Sequence, residues 1–351
     1  MEVVDVDPGF WHGKRVLLTG HTGFKGSWLS LWLASMGAEV TGFSDLVPTE
    51  PSLFELARVG SDVRDLRGDV RDFDAVTEAV AGAEIVLHLA AQPIVRRSFA
   101  APRETYEVNV MGTVNVFEAA RLAGGVRAVI NVTSDKCYEN REWEWAYRED
   151  EPMGGHDPYS SSKGASELVT SAWRRSFALP LASARAGNVI GGGDWGADRL
   201  IPDVMRAAVA GEPVEIRNPG ATRPWQHVLN PLSGYLVLAQ TLWSDAGAAT
   251  AWNFGPPEGE ARPVAWIVER LDALWPGGLR WEHDAGEHPH EATYLKVDSS
   301  RARARLGWAP RWDLDRTLEA VVEWYAALRD GADMRAVTLG QLDAFNTLTA
   351  Q

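Results

Sequence analysis

The stretch from Lys14 to Phe43 restricts this chain more than any other. A short apolar run, Arg15-Val16-Leu17-Leu18, ends at Thr19 and meets Gly20-His21-Thr22-Gly23-Phe24-Lys25-Gly26 without a spacer. From Gly26 to Met36, apolar residues recur at helical spacing (Trp28, Leu29, Leu31, Trp32, Leu33) and stop at Gly37. Glu39 to Phe43 reads as a second strand, which completes one βαβ unit of about 30 residues. In G-x-x-G-x-x-G the first glycine permits a tight turn. The second lets the backbone approach a pyrophosphate, and the third lets helix and strand pack closely. A diphosphate there rests on the free N–H groups of a helix N-terminus, where the dipole favours anions. Gly20, Thr22, Gly23, Phe24, Lys25 and Gly26 are therefore the expected dinucleotide cradle. Lys25 is placed to offset phosphate charge, and His21 lies inside the loop as a solvated polar residue or a ligand contact.

The alternation continues. Ala83–Leu89, Val126–Thr133 and Leu181–Ala186 read as buried strands, and Asn109–Leu122 and Ser161–Phe177 as helices. Strands alternating with helices predict an α/β fold, a Rossmann-type doubly wound parallel sheet covered on both faces. Beyond Asn188 the character changes. Gly191-Gly192-Gly193-Asp194-Trp195-Gly196 is a glycine-rich loop, and the segments after it are short and broken repeatedly by proline. The expected division is a nucleotide-binding domain over 1–189, with a return segment near 225–255. Residues 190–351 then form mainly a smaller C-terminal substrate-binding lobe. A last helix over Leu314–Leu328 precedes a polar tail with no clear pattern.

Composition removes several classes of function. The formal net charge of −14 disfavours a nucleic-acid surface. No apolar run reaches the ~18 residues of a membrane span. Acidic residues and no basic ones occupy the first eight positions, unlike a signal peptide. The single cysteine, Cys137, excludes an intrachain disulfide and fits a reducing compartment. These features lead to the expectation of a cytoplasmic protein. The eight histidines form no H-x-x-x-H or Cys/His ligand cluster, so no metal is expected. His283, His288 and His290 read as a surface segment around Pro289.

Tyr159-Ser160-Ser161-Ser162-Lys163 is Y-x-x-x-K, which puts phenol and ammonium on one helical face. An ammonium near a phenol favours the phenolate and draws its pKa down from ~10. Tyr159 then becomes a general base for a hydroxyl losing hydride. Ser134, at the end of the preceding strand, is placed to hold the same hydroxyl. The order of glycine turn, serine, tyrosine and lysine resembles the extended short-chain dehydrogenases. That resemblance implies ribose and adenine contacts after the second and third strands, here Ser44, Asp45, Asp69 and Val70. An acid after the second strand repels a 2′-phosphate, and no arginine occupies that turn, so NAD is expected rather than NADP. Leu89-Ala90-Ala91-Gln92 is a small-residue strand end able to pass under the cofactor, with Gln92 towards the substrate.

Asp135 and Lys136 follow the catalytic serine directly. Simple oxidation or epimerisation needs neither, whereas elimination of water needs both an acid and a base. Oxidising C4 of a hexose to a ketone acidifies the C5 proton. A base can then remove that proton while an acid protonates the departing C6 hydroxyl, and the hydride taken from C4 returns to C6. Lys136 is either the base or an ammonium that stabilises the enolate, since a charged lysine beside Asp135 opposes the acid role.

Longer stretches are similar to the CDP-glucose 4,6-dehydratases. They include Thr19-Gly20-His21-Thr22-Gly23-Phe24-Lys25-Gly26-Ser27-Trp28 and Thr133-Ser134-Asp135-Lys136-Cys137-Tyr138-Glu139-Asn140. Arg185-Ala186-Gly187-Asn188-Val189-Ile190-Gly191-Gly192-Gly193-Asp194-Trp195 and Arg223-Pro224-Trp225-Gln226-His227-Val228 continue the likeness. The resemblance implies a nucleotide-sugar substrate and NAD, with Ser134, Asp135, Lys136, Tyr159 and Lys163 as the catalytic set. It implies Asn188 and Arg223 near the substrate diphosphate, and a homodimer or homotetramer. Arg96, Arg199 and Arg217 are further substrate-binding candidates. Trp143, Trp145, Trp195 and Trp225 are candidates to flank the sugar nucleotide. An epimerase, a dehydratase of dTDP- or GDP-sugars, and a silent NAD- or sugar-nucleotide-binding regulator remain the competing readings.

Overall fold

The computed structural model describes residues 4–284, 286 and 294–347. His288 and His290 lie outside the described residues. Seven parallel strands form the central sheet: β1 (Arg15–Thr19), β2 (Glu39–Ser44), β3 (Arg64–Arg67), β4 (Ile85–His88), β5 (Ala128–Val132), β6 (Leu181–Arg185) and β7 (Ala251–Asn253). Their spatial order is 7-6-5-4-1-2-3. The order reverses between β1 and β4, and ligands of open α/β sheets bind in the crevice at such a switch point.

Alternation along each strand divides the core into two layers. Val16 and Leu18 of β1, Ile85 and Leu87 of β4 and Ile130 of β5 face one side, and Leu17, Val86 and Val129 face the other. On the first side pack α1 (Phe24–Ser35) and α6 (Leu229–Ser244). On the second pack α2 (Phe73–Val80) and α3 (Gly112–Ala123), with α4 (Pro158–Phe177) against β6 and α3. Between β6 and β7 the chain leaves the sheet, forms α5 (Leu200–Ala210) and several two- or three-residue strands, and returns through α6.

Three elements differ from the sequence expectation. β3 carries no apolar run, because an edge strand with mostly exposed side chains needs none. The helix expected from Ser161 begins at Pro158, where Asp157 accepts the Ser160 N–H at 2.9 Å. Tyr159 therefore sits in a rigid first turn. The polar tail is also a helix. After α7 (Leu314–Arg329), α8 (Met334–Thr347) buries Met334, Leu342 and Phe345. Phe345 meets Trp32 and Trp312 edge-on at 5.6 and 5.5 Å, an anchor that a polar-looking sequence conceals.

Candidate active site

The glycine turn is a backbone surface with no room for side chains. A Cβ on Gly20, at φ +76°, would stand 2.8 Å from the Ala90 nitrogen, and one on Gly26 would stand 2.0 Å from the Gly20 carbonyl oxygen. Gly23 begins α1 without a side-chain cap, so the first N–H groups of the helix face the cleft. An uncapped helix start behind bare backbone, with Lys25 beside it, fits the diphosphate of a dinucleotide.

His21 does not extend into solvent from this turn. Its ring is fully buried against Gly42, where a Cβ would come within 2.3 Å of it. Nδ1 is hydrogen-bonded to Ser44 Oγ and Nε2 to Asp65 Oδ1, both at 2.9 Å. Burial lowers its pKa, against the opposing pull of Asp65. His21 thus ties the turn to β2 and β3, and Ser44 is engaged from below. Asp45 accepts the Leu46 N–H at 2.8 Å at the rim of the cleft. Asp69 is gripped by the backbone N–H and guanidinium of Arg71, which hold its carboxyl below the usual range. Val70, Leu89, Ala90 and Ala91 line the same wall. Gln92 lines it too, with its amide bonded to Thr105 Oγ1 and its carbonyl accepting the Ile94 N–H.

At the inner end of the cleft, Ser134 Oγ accepts the Lys136 N–H at 3.2 Å and donates to Asp135 Oδ1 at 2.9 Å. Asp135 engages this serine rather than its neighbour Lys136, and is only 2% exposed. Burial pushes the Tyr159 phenol up to about 12; a hydrogen bond with Ser134 works against the rise and the Asp135 carboxylate adds to it. The protein alone therefore does not lower the phenol pKa as the Y-x-x-x-K spacing suggested. Desolvation outweighs the interactions that oppose it, and burial also draws Lys163 down to about 8, with Glu167 opposing. Lys25 is likewise drawn down to about 8, by burial first and then by Arg199 and Lys163.

Behind this set lies a buried ion pair that the sequence reading missed. Glu167 binds Arg185 at 2.7 Å and accepts the hydroxyls of Thr133 and Ser183. Arg185 also donates to Tyr138 Oη at 2.8 Å. The network fastens α4 to the ends of β5 and β6, and so sets Lys163 relative to Ser134. Glu167 was within reach of sequence reasoning, since it follows Lys163 by one helical turn on the same face.

The outer wall carries the candidate substrate contacts. Asn188 adopts φ +43°, a conformation asparagine tolerates better than most residues. Arg223 is nearly buried, and Arg199 pairs with Asp194 at 3.1 Å. Arg96 and Arg217 both pair with Asp198 Oδ1, at 3.4 and 3.2 Å. No spacing rule pointed to Asp194 or Asp198. The glycine-turn residues Gly20 and Thr22–Gly26, the catalytic set, the ribose-side candidates and the candidate substrate residues Gln92, Arg96, Asn188, Arg199, Arg217 and Arg223 line one cleft of about 1450 Å³, which His21 does not. Trp195 and Trp225 line it as well, whereas Trp143 and Trp145 belong to a second cavity of about 620 Å³. That pair is a correction: Trp143 packs on Tyr147 and against Trp145, away from the glycine turn. Among the described residues, no group of His, Cys, Asp and Glu side chains converges as a metal site.

Comparison with known proteins agrees with this geometry. Residues 16–253 match the model of the NAD dependent epimerase/dehydratase family. The CDP-glucose 4,6-dehydratase of Salmonella typhimurium is 52% identical, over 99% of this chain and 100% of that protein. A dTDP-glucose 4,6-dehydratase of Streptomyces griseus is 30% identical over 89% of this chain and 94% of its own. Among solved structures, MoeE5 in complex with UDP-glucose and NAD superposes with a TM-score of 0.76 at 26% identity, over 90% of this chain and 99% of that one. With the switch-point cleft, the bare glycine turn and the Ser134, Tyr159 and Lys163 set in one place, the chain belongs to the NAD dependent epimerase/dehydratase family.

Proposed function

We infer that this chain is an NAD-dependent CDP-glucose 4,6-dehydratase, which converts CDP-D-glucose to CDP-4-dehydro-6-deoxy-D-glucose. The observation that carries the reaction type is the opening of Asp135 and Lys136 into the same cleft as Tyr159 and Lys163. An epimerase has no work for that pair. The nucleotide follows from the full-length likeness to the Salmonella enzyme.

The side chains divide the chemistry among them. Tyr159, with Ser134 beside it, takes the proton of the C4 hydroxyl. Lys163 stabilises the phenolate. Bound NAD would supply the hydride acceptor for C4 oxidation and the hydride donor for C6. Lys136 removes the C5 proton made acidic by the ketone, and Asp135 protonates the C6 hydroxyl, which leaves as water. Lys136 then returns a proton to C5. Over the cycle Tyr159 has gained one proton and Asp135 has lost one, and the Ser134 hydroxyl lies between them. Arg223, Arg199 and Asn188 are assigned to the substrate diphosphate, with Arg96 and Arg217 exchanging Asp198 for it. Gly20, Thr22, Gly23, Phe24, Lys25, Gly26, Ser44, Asp45, Asp69, Val70, Leu89, Ala90 and Ala91 are assigned to the cofactor.

Residues 1–189 with the return near 225–255 are proposed as the cofactor domain, and 190–351 mainly as the substrate lobe. A homodimer or homotetramer is proposed because Met111 and Leu168, at the start of α3 and on α4, stay exposed at 52 and 63%. Among the described residues no helix is long and apolar enough to cross a membrane. The buried free thiol of Cys137 favours a cytoplasmic setting. Incubation with CDP-glucose and NAD tests the reading through the alkali-induced ultraviolet absorbance of a 4-keto-6-deoxy sugar. Equal turnover of dTDP- or GDP-glucose overturns the nucleotide, and a 4-epimer product overturns the reaction.

A further inference from the structure

The last residue of β2 brings a hydroxyl to the cleft rather than a carboxylate. Ser44 is buried and lines the cleft wall with Thr22. Behind it runs a chain of short contacts that joins three segments. Ser44 Oγ meets His21 Nδ1 at 2.9 Å, and His21 Nε2 meets Asp65 Oδ1 at 2.9 Å. Asp65 Oδ2 accepts from the Arg67 guanidinium at 2.7 Å. The Thr22 N–H reaches the same Ser44 oxygen from the glycine turn, at 3.5 Å. The His21 ring is fully buried over Gly42 and is fixed between its two partners.

The end of this chain determines where its protons lie. A carboxylate only accepts, so the proton between Asp65 and His21 belongs to Nε2. Burial works against the ionised form of Asp65, but the hydrogen bonds of Arg67 and His21 outweigh it and hold its pKa below the usual carboxylate range. Burial lowers the pKa of His21, so its ring carries one proton at neutral pH. With that proton on Nε2, Nδ1 is an acceptor, and Ser44 gives it the hydroxyl proton. An unconstrained serine hydroxyl rotates between donor and acceptor. Ser44 Oγ instead keeps only lone pairs for the cleft.

Such an oxygen suits a ligand hydroxyl and opposes a phosphate. A ribose 2′-hydroxyl donates to it, whereas a 2′-phosphate, close to a dianion at neutral pH, sets acceptor oxygens against an acceptor. Asp65 also occupies the guanidinium of Arg67, the residue paired with Ser44 across the β2–β3 ladder. A free guanidinium there would attract a phosphate. Asp65 itself does not line the cleft and acts only through these neighbours.

We propose that Asp65 is a positioning residue for cofactor choice: through His21 it fixes Ser44 Oγ as a hydrogen-bond acceptor for the adenosine 2′-hydroxyl, so that the pocket takes NAD and rejects NADP without a carboxylate in the place of Ser44. The proposal rests on the assignment of the glycine turn to the dinucleotide.

The test titrates the full chain calorimetrically with NAD, 2′-deoxy-NAD and NADP. The parent binds 2′-deoxy-NAD about 10-fold more weakly than NAD, the scale of one hydrogen bond. Ser44→Ala binds those two ligands alike. Asp65→Ala also loses the preference for NAD over 2′-deoxy-NAD, and its ratio of NADP to NAD dissociation constants falls at least about 10-fold as Arg67 is freed. Asp65→Asn, whose amide oxygen still accepts from Nε2, keeps the preference for NAD over 2′-deoxy-NAD. Nitrogen-15 resonances of His21 in the parent show Nε2 protonated and Nδ1 bare at neutral pH. The opposite tautomer or a doubly protonated ring overturns the proposal, whatever the affinities. So does a Ser44→Ala protein that still prefers NAD over 2′-deoxy-NAD, or a parent that binds NADP as tightly as NAD. Equal weakening of all three ligands in Asp65→Ala, the mark of a packing role alone, overturns it too. A parent that binds none of the three refutes the cofactor reading instead.

Discussion

Replacing Gly26 by alanine tests whether the glycine turn is a packing requirement as well as a cofactor cradle. The added Cβ would stand 2.0 Å from the Gly20 carbonyl oxygen and 2.7 Å from His21 Cα, where ordinary contact begins at 3.4 Å. The shortfall at the oxygen is 1.4 Å (3.4 minus 2.0), and the nearest atoms are all backbone. No side chain can turn aside, so α1 must lift from the turn. That helix buries Trp28, Leu29, Trp32 and Leu33 almost completely, and its movement disturbs the core layer beneath. Overpacking typically costs about 1–3 kcal/mol, and a clash confined to backbone belongs at the upper end, about 3 kcal/mol. The same lift carries the first N–H groups about 1 Å from a diphosphate. Hydrogen bonds of about 2.9 Å pass out of range, and each charge-assisted bond lost costs about 1.5–3 kcal/mol. Two lost bonds reduce NAD affinity at least about 100-fold.

Urea denaturation followed by tryptophan fluorescence, with and without NAD, reads the stability, and titration calorimetry reads the affinity. Gly340→Ala supplies the internal reference. Gly340 lies within α8, and a Cβ there meets nothing within 4 Å, so the same substitution raises stability by about 0.5–1 kcal/mol. A Gly26→Ala protein within about 1 kcal/mol of the parent, binding NAD as tightly, refutes the argument from backbone contact.

Other expectations follow from the inner end of the cleft. Lys136→Ala abolishes deuterium incorporation at C5, measured by mass spectrometry of product and recovered substrate; exchange at the parent rate removes Lys136 from the chemistry. Glu167→Gln leaves Arg185 charged and buried and costs about 3–5 kcal/mol in denaturant unfolding. A cost below about 1 kcal/mol assigns the pair no structural weight. Lys163 has a folded pKa of about 8 against 10.5 unfolded, so the unfolded chain binds the extra proton. Its burial therefore destabilises the cofactor-free protein fully below pH 8, and the penalty fades as pH rises from about 8 to 10.5. Lys163→Met gains about 3 kcal/mol over the parent at pH 7, and the gain shrinks at pH 10. A difference that is flat with pH contradicts the shift.

Local chemistry made much of this protein legible in advance. Gly20, Gly23 and Gly26 announce a turn that only backbone can make, and the four-residue spacing of Tyr159 and Lys163 puts both on one helix face. Strands β4, β5 and β6 are short apolar runs because both of their faces are covered. Each of these signals is carried by neighbours in the chain, within the reach of a single turn or strand. β3 and α8 gave little signal: the first is an edge that needs no apolar face, and the second buries its apolar side against tryptophans far away in sequence.

Other properties exist only where distant segments meet. His21 leaves solvent because Gly42, on the neighbouring strand, makes room for its ring. Tyr159 is pushed up rather than down because burial, which no spacing encodes, outweighs the hydrogen bond with Ser134. Glu167 and Arg185, and Arg96 and Arg217 around Asp198, come from separate elements that only the folded chain brings together. The residue types at each position thus determined which chemistry was available, and tertiary packing decided which groups were desolvated, which were paired and which faced the cleft. Electrostatic energies depend on distance and dielectric, and both are set only when the chain has folded.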